Sequence, residues 1–269
     1  MRRTITPTLA LLLALGLVAA GCVSSTKASN TATGATSATT STPVSGSITV
    51  SAASSLTGAF GTIKDDFQAA NPGAHVTINF GSSGTLETQI ESGAPADVAA
   101  FADDATMKKL TDKGALDGPS QIFATNHLVI VTKPGNPTHI ETLADLASAG
   151  TVSLCADTAP CGKYANQILT TATVSIPAAK VTRGQDVKTT LAAVTDGDAD
   201  AAIVYVTDAL AAGARVDTVT IPAEQNAVAN YPIAVIKATQ DAALAQAFMA
   251  FVLGSQGRQV LQDAGFATP

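Results

Sequence analysis

The chain has 269 residues, with 15 Lys and Arg against 21 Asp and Glu and a formal charge of −6. An acidic balance of this size argues against nucleic acid as a partner, because phosphate backbones are held by basic patches. Trp is absent and aromatics make up 4% while hydrophobic residues reach 46%, so the core has to be aliphatic and built largely from helices packed on sheet.

The first 21 residues read as a signal peptide. Arg2 and Arg3 form a positive start, and the apolar run Leu9 to Ala20 is too short to span a bilayer comfortably. An uncleaved membrane anchor is the alternative. Leu17-Val18-Ala19-Ala20-Gly21-Cys22 resembles a bacterial lipobox, although Ala19 stands where Leu is usual. It would leave Cys22 as a lipidated N-terminus. Residues 22–46 are then a tether of Ser, Thr, Ala, Gly and Asn, too poor in apolar side chains to offset the entropy of ordering. The expected location is outside the cytoplasm, anchored by lipid to the outer face of the cytoplasmic membrane. Removing Arg2 and Arg3 leaves 13 basic against 21 acidic residues, a charge of −8.

About 220 residues follow, enough for two small α/β lobes. Strand Ser47 to Ala52 leads into a helix carrying Leu56, Phe60, Ile63 and Phe67 at helical spacing, stopped by Asn71-Pro72-Gly73. Strand His75 to Phe80, a helix through Leu86 and Ile90, strand Asp97 to Ala102 and a helix across Met107 and Leu110 continue the alternation. This βαβαβ order predicts parallel sheets with right-handed crossovers. A long apolar strand, His127 to Thr132, opens a second series. It comprises strand Val152 to Ala156, helices from about Gly162 and Val187, and strands Ala201 to Tyr205 and Thr218 to Ile221. A second apolar strand, Ile233 to Ile236, follows Tyr231-Pro232, and two helices close the chain. Two such strands bordering the middle segment suit a pair of crossovers between lobes. The expected lobes are therefore 47–125 with 230–269, and 126–229.

In open parallel sheets ligands sit beyond the carboxyl ends of strands, where helices begin with unpaired N–H groups and partial positive charge. Three turns qualify: Ala53 to Thr57, Gly81 to Thr85, and Asp157 to Gly162. Ser55 and Ser83 stand at two of them, either as helix caps or as donors to an anion. His75, His127 and His139 are scattered without metal-ligand spacing, and Asp65-Asp66 and Asp103-Asp104 read as solvated faces or caps. No nucleophile elbow, phosphate loop or catalytic constellation is present, so an enzyme is not expected.

Several stretches resemble the molybdate-binding receptors of ABC importers. They are Ile48 to Thr57, Gly81 to Leu86, and Gln89 to Val98 with its Gly93-Ala94-Pro95-Ala96-Asp97. Others are Pro160-Cys161-Gly162, Gln185-Asp186-Val187, Ala202 to Asp208, and Tyr231 to Val235. The resemblance covers nearly all of 47–269. It implies a two-lobed periplasmic binding protein fold of type II, with the ligand cleft between the lobes and two interlobe crossovers. It also implies a monomer that needs no cofactor, captures molybdate or tungstate, and hands it to the membrane permease of an ABC importer, with molybdenum entering only as the bound oxyanion. Carried over position by position, the oxyanion would be held by the hydroxyls of Ser55, Ser83 and Tyr205. Backbone N–H groups of Ser55, Ser83, Cys161 and Val187 would complete the set, with Cys161 where many members have Ala.

Other readings stay open: a receptor for sulfate or another oxyanion, an iron receptor using Tyr164, Tyr205 and Tyr231, a secreted serine hydrolase, or a structural surface lipoprotein. Cys155 and Cys161, left over once Cys22 carries lipid, are expected to be bridged in an exported protein, two buried thiols being the alternative.

Overall fold

The computed structural model describes residues 44–269; the expected signal peptide, Cys22 and nearly all of the tether lie outside the described residues. The chain runs β1 (Ser45–Ala53), α1 (Thr57–Ala70), β2 (Gly73–Gly81), α2 (Ser83–Glu91), β3 (Val98–Ala100), α3 (Asp104–Asp112) and β4 (Gln121–Thr132). It continues β5 (Val152–Cys155), α4 (Pro160–Thr171), β6 (Val181–Gly184), α5 (Val187–Thr195), β7 (Ala201–Tyr205), α6 (Val206–Ala212) and β8 (Asp217–Thr220). Strand β9 (Val228–Val235) and helices α7 (Ala242–Leu253) and α8 (Ser255–Asp263) complete it.

The strands order as β2-β1-β3-β9-β4-β7-β5-β6, with β8 beside β4. Strand β1 pairs in parallel with β2 and β3, and β5 with β6 and β7, as βαβ units require. The expectation of purely parallel sheets is corrected by β4, β8 and β9, whose pairings are all antiparallel. The reason is mechanical: β4 leaves one parallel group and β9 returns to it, so the two must run opposite ways. Residues Gln121 to His127 of β4 pair with β9, while Leu128 to Thr132 pair with β7.

Other boundaries shift too. Strand β4 starts at Gln121, not His127, and β9 contains Tyr231-Pro232 instead of following it. Pro232 cannot donate to a neighbour, and the β4–β9 register shifts between Ile122 and Ala124 opposite it. Strand β6 and helix α6 were not anticipated.

The core is mostly aliphatic, as composition requires, and the few aromatics gather where the chain crosses. Phe60 and Phe123 rings lie 5.6 Å apart, Tyr231 packs edge-on against Phe123 at 6.2 Å and Phe266 at 5.3 Å, and Tyr205 meets Tyr231 at 6.0 Å. His75, His127 and His139 are exposed, Asp65 and Asp66 face solvent, and Asp103 caps α3 by accepting from Thr106 N–H. No helix among the described residues is long and apolar enough to cross a membrane.

Candidate functional site

All five residues singled out from the sequence, Ser55, Ser83, Cys161, Val187 and Tyr205, line one small cavity, with a free volume of about 10 Å3. Each is buried. The cavity lies where the helix starts that follow β1, β2, β5 and β6 converge. Ser55 belongs to a single 3-10 turn, Ser54–Leu56, between β1 and α1. Ser83 is the first residue of α2, Cys161 the second of α4 and Val187 the first of α5. First-turn amides have no partner within their own helix, so these positions turn N–H groups and the positive ends of helix dipoles toward one space. Tyr205, the last residue of β7, contributes its ring from the carboxyl end of a strand.

The capping reading of the serines fails. Neither α1 nor α2 has a side-chain cap. Ser83 Oγ instead accepts from the Ala102 N–H at 3.1 Å, which leaves its own proton free to point into the cavity. Ser55 Oγ lies 2.9 Å from Tyr231 Oη. Tyr205 Oη is buried and has no hydrogen-bond partner among the described residues. Burial above all, with neighbouring Tyr231 next, pushes its pKa well above the ordinary phenol value. It is therefore a protonated donor at neutral pH.

The cavity lining contains no Lys or Arg. The nearby Lys163, on α4, places its Nζ 3.1 Å from Asp103 Oδ2 and 3.0 Å from Thr106 Oγ1, so its charge is already matched. Asp186 does line the cavity, yet its carboxylate accepts from Thr189 N–H at 2.8 Å within a capping box on α5. Outside the cavity lining, Asp208 is fully buried and ion-paired with Lys188, whose Nζ lies 2.8 Å from its Oδ1. Burial pushes its carboxyl up to about 6 against the pull of Lys188. Chemically, the cavity offers donors and dipoles and is suited to a small acceptor with negative charge. Neither serine touches a base: Ser83 meets a backbone N–H, and Ser55 meets Tyr231, whose pKa burial raises strongly.

Two backbone features hold the donors in place. Cys155, at the end of β5, is disulfide-bonded to Cys161, with Cα atoms 5.7 Å apart, so the expected bridge is present. Gly84, in the first turn of α2, approaches the loop before α4 so closely that a Cβ there would stand 2.8 Å from the Thr158 carbonyl oxygen. Among the described residues, no group of three or more His, Cys, Asp or Glu is arranged to hold a metal ion. Of the three tyrosines only Tyr205 lines the cavity, which disfavours iron chelation by several phenolates. Sequence reasoning missed Tyr231, Asn126 and Ala102 as supports of the serines. Their contacts span up to 176 positions, and no local pattern announces them.

Such a fold, with helix starts and hydroxyls lining one cavity, suits a binding protein for a small, acceptor-rich ligand. Residues 48–267 match the family model described as bacterial extracellular solute-binding protein. The molybdate-binding protein ModA of Mycobacterium tuberculosis is 40% identical over 258 residues, 96% of this chain and 98% of that protein. ModA of Escherichia coli is 32% identical, covering 82% of this chain and 89% of the relative. Among solved structures, the periplasmic molybdate-binding protein of Azotobacter vinelandii superposes with a TM-score of 0.74 at 24% identity, over 82% of this chain and 99% of that one. The sulfate-binding protein SubI of M. tuberculosis gives the same TM-score of 0.74 at 22% identity, over 82% and 86%, a likeness of fold alone. The chain belongs to the bacterial extracellular solute-binding proteins and has their two-lobed, type II fold. Its family binds solutes outside the cytoplasm instead of transforming them.

Proposed function

We propose that this protein captures molybdate, and tungstate with it, outside the cytoplasm and hands it to the permease of an ABC importer. The observation that carries this reading is the buried hydroxyl of Tyr205, a donor with no partner among the described residues, on a residue that lines the same cavity as Ser55, Ser83 and the first turns of α4 and α5. A tetrahedral dianion without a proton presents only acceptors and matches a set of donors. The molybdate-binding relatives from M. tuberculosis and E. coli agree with that ligand. Each hydrogen bond to a charged group contributes ~1.5–3 kcal/mol, so five or six exceed the ~8 kcal/mol of micromolar binding even after ordering costs.

In this reading the lobes are 47–125 with 230–269, and 126–229. Closing them makes the shape that the permease recognises. The protein acts as a monomer, held to the outer face of the cytoplasmic membrane by lipid on Cys22. Detergent phase partitioning of wild type against Cys22→Ser tests the anchor. A wild type that stays in the aqueous phase refutes it.

Sulfate offers the same acceptors on a smaller ion and is the second candidate. Calorimetry with molybdate, tungstate, sulfate and phosphate on the chain from residue 23 onward separates them. Molybdate and tungstate should bind much more tightly than sulfate, and phosphate hardly at all. Equal affinity for sulfate and molybdate would remove size as the selecting property.

A further inference from the structure

Ser55 is held from behind by residues on both strands that cross the molecule. Tyr231, on β9, lies with its Oη 2.9 Å from Ser55 Oγ, and Asn126, on β4, reaches the same Oη with its Nδ2 at 3.5 Å. All three are buried. The Asn126 amide has only one sensible orientation, because its Oδ1 accepts from the His127 backbone N–H at 2.9 Å and a backbone N–H can only donate. Its Nδ2 must therefore donate, to Thr207 Oγ1 at 2.9 Å and to Tyr231 Oη. Tyr231 keeps its proton, since burial raises its pKa strongly. With a donor already on its oxygen, its own O–H is directed at Ser55 Oγ. Ser55 then has to point its proton the other way, into the cavity.

We propose that Asn126 and Tyr231 form a one-way hydrogen-bond chain that fixes Ser55 as a donor, and that this polarity makes the site reject oxyanions that carry a proton. Ser83 is polarised in the same sense by the Ala102 N–H, which cannot reverse. The Ser55 arm is different because its direction depends on two side chains. A free serine hydroxyl would rotate and accept a ligand's O–H. The chain removes that option, making Tyr231 and Asn126 positioning residues for specificity. The inference rests on the oxyanion reading of the cavity.

The test compares molybdate with phosphate at about pH 8, where phosphate is chiefly the monoprotonated dianion, so that both ligands carry equal charge. Calorimetry is run on wild type, Tyr231→Phe and Asn126→Asp, with melting of each unliganded protein as the control for folding. Tyr231→Phe frees the Ser55 rotor. Asn126→Asp places an acceptor behind Tyr231 and turns the chain round, so that Ser55 presents lone pairs. The buried negative charge it adds repels both dianions alike and cancels in their ratio. The molybdate-to-phosphate ratio should narrow by about tenfold in Tyr231→Phe, the worth of one hydrogen bond to a charged group, and by more in Asn126→Asp. Equal loss for both anions in either folded variant, or an unchanged ratio, overturns the chain while leaving the oxyanion reading standing. A wild type that binds neither anion overturns both.

Discussion

Replacing Tyr205 by Phe separates the cost of an unpartnered hydroxyl from its use. The ring is wholly buried and meets Tyr231 edge-on at 6.0 Å, a contact that Phe keeps. Only the Oη is lost, and that atom has no partner among the described residues. A buried, unsatisfied hydroxyl costs ~1–3 kcal/mol, so its removal should leave the melting temperature of the unliganded protein unchanged or raised. In the complex the same group donates to a charged oxygen, worth ~1.5–3 kcal/mol, and its loss should weaken molybdate binding roughly ten- to a hundred-fold. The two effects have opposite signs, which is unusual for a core substitution. Calorimetry gives the affinity, and thermal melts with and without molybdate give the stability. A variant that binds like wild type, or whose lost affinity is matched by an equal loss of unliganded stability, would refute the assignment of Tyr205 as a ligand donor.

Gly84→Ala should raise helix propensity in α2 by about 1 kcal/mol, yet its Cβ would stand 2.8 Å from a carbonyl oxygen of Thr158 that cannot move aside cheaply. Unliganded melting should hold while affinity drops at least tenfold, and unchanged affinity would show that this approach is not needed for binding. Cys155→Ala with Cys161→Ala should lower stability by about 2 kcal/mol for so short a loop and weaken binding, because the first turn of α4 loses its tie to β5. Chemical denaturation and calorimetry check both effects, and wild-type affinity in the double variant would make the bridge purely structural. Asp208 has its pKa raised from 3.8 to about 6, so between those pH values the folded protein holds a proton that the unfolded chain releases. Stability should therefore fall as pH rises from about 4 to about 6, and Asp208→Asn should flatten that slope in denaturant titrations. Identical slopes in both proteins would contradict it.

The fold class and the residues that line the cavity were legible in the sequence, while several element boundaries were not. Strand-end turns bearing Ser55 and Ser83 stand out because a strand's end, a small residue and a helix start coincide within a few positions. Helix α6 was hidden because it begins at Val206 directly after Tyr205, with no loop residues to mark the change. Strand β6 is only Val181–Gly184 and none of it is buried, so it carries no apolar run. Pro232 made the start of β9 look like a boundary, and only the register shift opposite it explains how a proline sits inside a paired strand. Long-range partners such as Tyr231 behind Ser55 depend on topology and leave no periodic trace.

If the cavity holds an oxyanion as proposed, the absence of Lys and Arg from its lining would govern how that ligand leaves. A cationic side chain would follow its anion on a long stem and hold it by a field that fades slowly with distance. Fixed dipoles and hydroxyls on four separate helix starts fade faster and cannot follow. Were the groups after β1 and β2 to part from those after β5 and β6, each side would keep only a fraction of the donors, and discharge would require no proton and no competing ion. On that reading, a small separation of the two groups by the permease would be enough.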